Sequence, residues 1–234
     1  MEYKKLDMGQ GIAWYGCGWS FFKQGASVWV LTAIVFLVIG FVCSLIPAIG
    51  PIVFMLLVPL LISGFYFGAD DIRQGRSVQM GTLFQAFFDD EARTPLLILG
   101  SLFLGLMIAF ALIVMLMVGP GTMGMGPASD DIAPRQLFPR GLGMGFVAMM
   151  LVQVLIAMCM FFAVPLTAFD KVAPVEAIKT SFQATVRNIL PFLLFIIVYV
   201  VLAFIASIPF FLGFIVLLPI AFCSIYCAYR GVFK

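Results

Sequence analysis

The chain has 234 residues, 64% of them apolar and only 10% charged, with no histidine and a formal net charge of +2. A water-soluble domain carries about a quarter charged residues, so water is excluded as the main solvent. So small a charge, without basic clusters, also excludes a nucleic-acid partner. The length leaves room for one membrane domain over 1–234 and for no sizeable soluble one.

The first segment carries Lys4, Lys5 and Lys23, and in 11–23 it gathers Trp14, Trp19, Phe21 and Phe22. Aromatic anchors beside a terminal lysine predict an amphipathic helix in the membrane interface. The apolar run after Lys23 is too long for a signal-peptide core and has no small-x-small cleavage site, so it is expected to stay as a span. No charge then appears until Asp70. That run is roughly twice the ~20 residues a span needs. Pro47-Ala-Ile-Gly-Pro51 breaks it once, which predicts spans at about 26–46 and 51–69.

A second interfacial helix is expected over 78–88, where Met80, Leu83, Phe84, Phe87 and Phe88 recur at helical spacing. Further charge-free runs predict spans at about 95–118 and 142–168, with an external insert at 119–141 between them. A third interfacial helix is expected over 174–187: Val175, Ile178, Phe182 and Val186 face Glu176, Lys179, Gln183 and Arg187. The last charge-free run, between Arg187 and Arg230, turns near Pro209 and predicts spans at about 189–208 and 210–229. The expected fold is therefore an all-α polytopic bundle of six transmembrane helices plus three interfacial helices.

If the N-terminus is cytoplasmic, the inner segments hold eleven Lys and Arg residues and the outer ones only Arg135 and Arg140. That bias places both termini in the cytoplasm.

The chain also repeats itself. Thr82-Leu83-Phe84-Gln85-Ala86 parallels Thr180-Ser181-Phe182-Gln183-Ala184, and each leads into a span opened by Pro95 or Pro191. Each inward-running span carries a proline: Pro59, Pro165 and Pro219. Three copies of helix–span–span would form a quasi-threefold bundle about the membrane normal. Prolines at one depth near the cytoplasmic end could frame a vestibule or gate; the plainer reading fits each kinked helix to its neighbours.

No Asp, Glu, His, Lys or Arg falls inside the predicted spans, which disfavours proton-coupled transport. Gln153 is the one sizeable polar side chain at depth and is expected to bond a neighbouring helix. Asp70, Asp71 and Arg73 sit where the second span ends, and Asp89-Asp90-Glu91 is the only acidic supplement for a divalent cation on a phosphate headgroup. As a metal site this is incomplete; the charges read as helix caps. Met123 and Met125 form a Met-x-Met pair suited to Cu(I), in a chain rich in methionine throughout. Cys223 and Cys227, one turn apart, have no histidine or carboxylate nearby, so the cysteines read as small buried hydrophobes. Gly64-x-x-x-Gly68 and Gly141-x-x-x-Gly145 would permit close helix contact. No motif nominates a cofactor, and none is expected.

A set of sparse marks runs the length of the chain: Trp14 to Trp29 with Gly18-Trp19 and Phe21-Phe22 between, Ile46-Pro47-x-x-Gly50, Pro59 with Gly64 and Gly75, and Leu83-Phe84. Pro95 through Gly100, Pro165, Ala177 with Ser181, Asn188 with Pro191, and Pro219 with Tyr229 complete it. In these marks the chain resembles a family of bacterial inner-membrane proteins with about six spans and no established function. More distantly it resembles YciC-like membrane proteins and the membrane domain beside some glycerophosphodiester phosphodiesterases. The resemblance implies inner-membrane location and topology and brings no catalytic residues.

The expected function is non-enzymatic: binding of a lipid, a hydrophobic small molecule or a partner protein, with membrane lipids and a membrane protein or second copy as partners. Pro59, Pro165, Pro219, Gln153, Asp71 and Arg73 are the candidate binding or gating positions. The alternatives are a passive channel or facilitative transporter, and a lipid-modifying enzyme using Asp70 and Asp71.

Overall fold

A computed structural model describes residues 3–118 and 142–234. In chain order its helices are α1 (Gln10–Lys23), α2 (Ala26–Ser44), α3 (Ile49–Arg73), a 3-10 turn (Met80–Phe84), α4 (Gln85–Phe88) and α5 (Asp90–Val118), then α6 (Leu142–Met160), α7 (Ala163–Phe169), α8 (Pro174–Arg187), α9 (Ile189–Ser207) and α10 (Phe214–Phe233). Six stretches are long and apolar enough to cross a membrane: α2, α3, α5, α6 with α7, α9 and α10. The protein is an all-helical, multi-pass membrane protein, as its charge-free runs require. The insert at 119–141, with Met123, Met125, Arg135, Arg140 and Gly141, lies outside the described residues.

Several element ends differ from the sequence expectation. The third span starts at Asp90 rather than near 95, because Asp89 caps it: its Oδ1 accepts the amide hydrogens of Glu91 at 3.0 Å and Ala92 at 3.4 Å. Acidic residues in the first turn, Asp90 and Glu91, complement the helix dipole. The last span starts at Phe214 rather than 210, since Phe210 and Phe211 both take positive φ (49° and 64°) in the preceding turn. The expected interfacial helix over 78–88 is a 3-10 turn followed by a single α-turn. Here the backbone presses on α3 closely enough that a Cβ at Gly64 would lie 2.5 Å from the Leu83 carbonyl oxygen.

The fourth span is broken between α6 and α7. Ser181 of α8 inserts its hydroxyl into the ladder, donating to the Met158 carbonyl and accepting from the Phe162 amide, both at 2.9 Å. Pro165, three residues on, has no N–H to give Phe161. An inserted side chain and a proline are the usual causes of such a break.

The spans that run toward the end carrying the termini form the centre. They bury 50%, 39% and 61% of their apolar windows (α3, α6 with α7, α10), against 22%, 11% and 22% for α2, α5 and α9. The core sits toward the end that carries both termini. Trp29, Phe36, Phe65 and Phe222 interlock there, with the Phe65 and Phe222 rings 4.9 Å apart. Phe161 meets Phe192 and Phe195 at 5.1 and 5.2 Å, joining the fourth span to α9. At the far end large side chains such as Phe41, Leu112 and Phe204 are exposed. Hydrocarbon, not water, is the solvent that suits them.

The short elements pack in a cyclic order. The 3-10 turn lies on α2 and α3, α8 on α5, α6 and α7, and α1 on α9 and α10. Gly64 and Gly68 are both spent on this packing, facing Leu83 and Trp29 with Val78, so the Gly-x-x-x-Gly pair closes contacts within the chain.

Candidate functional site

Where α3, α7 and α10 converge at the terminal end, two carboxylates are drawn onto tyrosines of α10. Asp70 Oδ1 accepts the Tyr226 hydroxyl and two hydrogens from Arg73, from Nε and Nη2, each at 3.0 Å; its Oδ2 accepts from Gln74. Asp170, the C-cap of α7, accepts the Tyr229 hydroxyl on Oδ2 at 2.5 Å and pairs on Oδ1 with Lys234 at 3.1 Å. Phe169 stacks on Tyr229 and tilts against Tyr226. Removing a carboxylate from water is expensive unless its lone pairs are met, and both carboxylates here are met on both oxygens. This cluster seals the end of the bundle.

Asp71 turns the other way, its Oδ1 accepting from Arg76 Nε at 2.9 Å. The adjacent carboxylates of the Asp70-Asp71 pair thus serve different surroundings and do not converge on one substrate position. Asp71 and Arg76 form one wall of an open cleft of about 920 Å³. Gln85, Phe88 and Asp89, with Gly81 and Thr82 of the 3-10 turn, contribute to its lining. Thr82 is buried; among the described residues the buried side-chain hydroxyl without a partner is that of Thr167 in α7. Phe88 is 86% exposed. Nearby, Glu91 pairs with Lys171 and holds that ammonium above the usual lysine range. Among the described residues no three His, Cys, Asp or Glu side chains come together as metal ligands would.

The candidate positions fall in different places. Asp71 lines the cleft and Arg73 belongs to the sealing cluster. Pro59, Pro165 and Pro219 are all buried. Pro59 and Pro219 each lie fourteen residues before the end of their helix, and Pro165 lies four before the end of α7. Gln153 is on an exposed face of α6.

Sequence reasoning missed Tyr226 and Asp170 and marked Tyr229 only through the family resemblance, since their partners are remote in the chain. Asn188, marked in the sequence only through the same resemblance, is buried between α8 and α9. Asn188 accepts the Leu6 amide hydrogen at 2.8 Å and donates to the Lys4 carbonyl at 3.0 Å, pinning the N-terminal segment. Cysteine reading needs a correction as well: Cys227 is not a lone small hydrophobe but is disulfide-bonded to Cys17, with Cα atoms 6.4 Å apart. A separation of 210 residues left no local signal for it. Cys223 is buried as expected.

No family model matches the chain, and no solved structure matches it. A probable inner membrane protein of Burkholderia thailandensis is 26% identical over 255 residues, an alignment covering 100% of this chain and 94% of that protein. The likeness therefore extends across the whole bundle.

Proposed function

We propose that this chain is a non-enzymatic inner-membrane protein, with both termini in the cytoplasm, that holds a phospholipid in the cleft beside the 3-10 turn. The single observation that carries the reading is the form of the cleft: polar within, and flanked by the exposed ring of Phe88 on an element expected to lie in the interface. A polar recess beside an apolar lip matches an amphiphile. The likeness to a probable inner membrane protein supports the location, and the clustering of Lys and Arg toward the terminal end supports the orientation.

Two further observations favour binding over the alternatives. The centre of the bundle is filled by aromatic side chains at the terminal end among the described residues, which weighs against conduction there. Asp70 is fully engaged by Tyr226, Arg73 and Gln74, which weighs against its acting on a substrate.

The same reading treats the chain as three helix–span–span units. Support comes from the cyclic order, in which each short element lies on spans of the unit before it and α1 lies on the last.

Native mass spectrometry of protein released from lipid nanodiscs tests the lipid reading. Gly81 lines the cleft, and a Cβ added there meets nothing within 4 Å, so Gly81→Leu puts apolar bulk into the space from a position where the first added atom is free. One retained lipid per protomer, lost in Gly81→Leu while the fold persists, is expected. A bare protein, or a lipid complement that Gly81→Leu leaves unchanged, overturns it.

A further inference from the structure

Gln153 is exposed on α6, eleven residues after Leu142, where that helix starts, and sixteen before Phe169, where α7 ends. At about 1.5 Å per residue, its amide is roughly 16 Å from one end of the fourth span and about 24 Å from the other. A hydrocarbon core about 30 Å thick therefore surrounds it, and the side chain is too short to reach either interface. Among the described residues the polar contacts to this span come from Ser181 and Thr185 of α8 and go to Met158 and Phe162, not to Gln153. An amide facing lipid tails is costly unless another polar group meets it.

Its surroundings suit a second helix. Met150 is exposed and Ala157 half-buried, so Met150, Gln153 and Ala157 make a ridge at spacings of three and four. Beside α6 runs α5, the least buried of the six spans at 11%. The Glu91–Lys171 pair brings the start of α5 level with the end of α7, which sets Gly105 at a depth close to that of Gln153. Gly105 is exposed, and a Cβ added there meets nothing within 4 Å. A neighbouring backbone can come close at such a position.

We propose that Gln153 is the centre of an interface between two copies of this chain, in which the two Gln153 amides exchange hydrogen bonds. The amide itself commits the occupant to a second copy. Its carbonyl oxygen accepts and its NH2 donates, so it is complementary to another of its own kind. A copy inserted in the same orientation carries Gln153 at the same depth, and a twofold axis along the membrane normal brings the two together. Lipid tails offer no such group, and an unrelated span needs a polar side chain of its own at that level. This inference is independent of what the cleft at the end of α3 holds.

The test uses the full-length protein, labelled at its N-terminus with donor or acceptor dye and reconstituted in liposomes, with energy transfer followed as lipid dilutes it. A dilution-dependent dimer is expected. Gln153→Leu should raise its dissociation constant about tenfold, the scale of one hydrogen bond between membrane helices. Leucine suits a lipid-facing position, so helicity should not change. Gln153→Asn keeps an amide and should retain most of the association. Oxidation by copper–phenanthroline in native membranes locates the face. Met150→Cys, on the Gln153 ridge, should give covalent dimer above the level of the native cysteines. Leu155→Cys, exposed on the opposite side of α6, should not.

A monomer at every dilution overturns the proposal, and so does a dimer that Gln153→Leu leaves intact. Crosslinking through Leu155→Cys in place of Met150→Cys overturns the assigned face.

Discussion

Ser181 holds the amide of Phe162: the hydroxyl accepts that N–H at 2.9 Å, in the place where the fourth span would otherwise continue its own ladder. The same oxygen donates to Met158, and Thr185 Oγ1 donates to the Ser181 carbonyl at 2.7 Å, so a polar stitch joins α8 to a broken membrane helix. Removing it leaves a buried amide without a partner. Ser181→Ala is expected to destabilise the folded protein by about 1–2 kcal/mol, toward the upper end of single hydrogen bonds measured between membrane helices. Equilibrium unfolding in mixed micelles measures this, and a loss of only a few tenths would mean that the break is held by Pro165 alone.

Two glycines give a contrasting pair of outcomes. A Cβ on Gly18 would lie 2.6 Å from the Ile220 carbonyl oxygen and 2.2 Å from Ser224 Oγ, while one on Gly16, a turn-mate in α1, would meet nothing within 4 Å. Gly18→Ala must therefore push α1 off α10, at about 1–3 kcal/mol for overpacking. Gly16→Ala should stabilise by up to about 1 kcal/mol through helix propensity. Melting temperatures of the two variants, moving in opposite directions, check the contact; a shared direction would show that α1 does not rest on α10 as described.

The spans were legible because charge is the costliest thing to place in hydrocarbon, and runs without it mark themselves. Their ends were less so. A helix begins where a side chain can cap it, as Asp89 does for α5, and stops where the backbone turns positive in φ, as at Phe210 and Phe211. Neither depends on periodicity. The apolar spacing around Met80–Phe84 is helical and predicts a helix, whereas close contact with α3 accompanies a 3-10 turn there. Within the candidate site, Asp71 was legible as an interfacial charge, but its cleft is made by bringing the end of α3 beside residues 77–89. Tyr226 and Asp70 are 156 residues apart, and no sequence pattern links them.

That tyrosine makes a measurable claim. Tyr226 Oη donates to Asp70 while Arg73 Nε lies 3.0 Å from it, so the phenol bridges the two ends of an ion pair. Tyr226→Phe should cost about 1–3 kcal/mol because it strips a charge-assisted hydrogen bond from a partly buried carboxylate. In a double-mutant cycle with Asp70→Asn the two losses should be strongly non-additive, since they remove one interaction. Additive losses would show that the hydroxyl and the carboxylate act independently.

The disulfide between Cys17 and Cys227 joins the one junction of the cyclic arrangement that the chain does not connect, α1 against α10. It also bears on orientation. Both cysteines are at the end that carries the termini, which the orientation proposed above from Lys and Arg puts in the cytoplasm. Thiols there are held reduced by the glutathione and thioredoxin pools. With the proposed orientation, a membrane-permeant maleimide applied to intact cells should therefore label both cysteines. Oxidised glutathione added to the purified protein should then convert the pair to the intramolecular disulfide, releasing two molecules of glutathione, because the Cα atoms already stand 6.4 Å apart. The oxidised form should resist unfolding more than Cys17→Ser does, by up to about 2–4 kcal/mol. A pair found fully bonded in intact cells would place the termini on the oxidising side of the membrane and reverse the proposed topology.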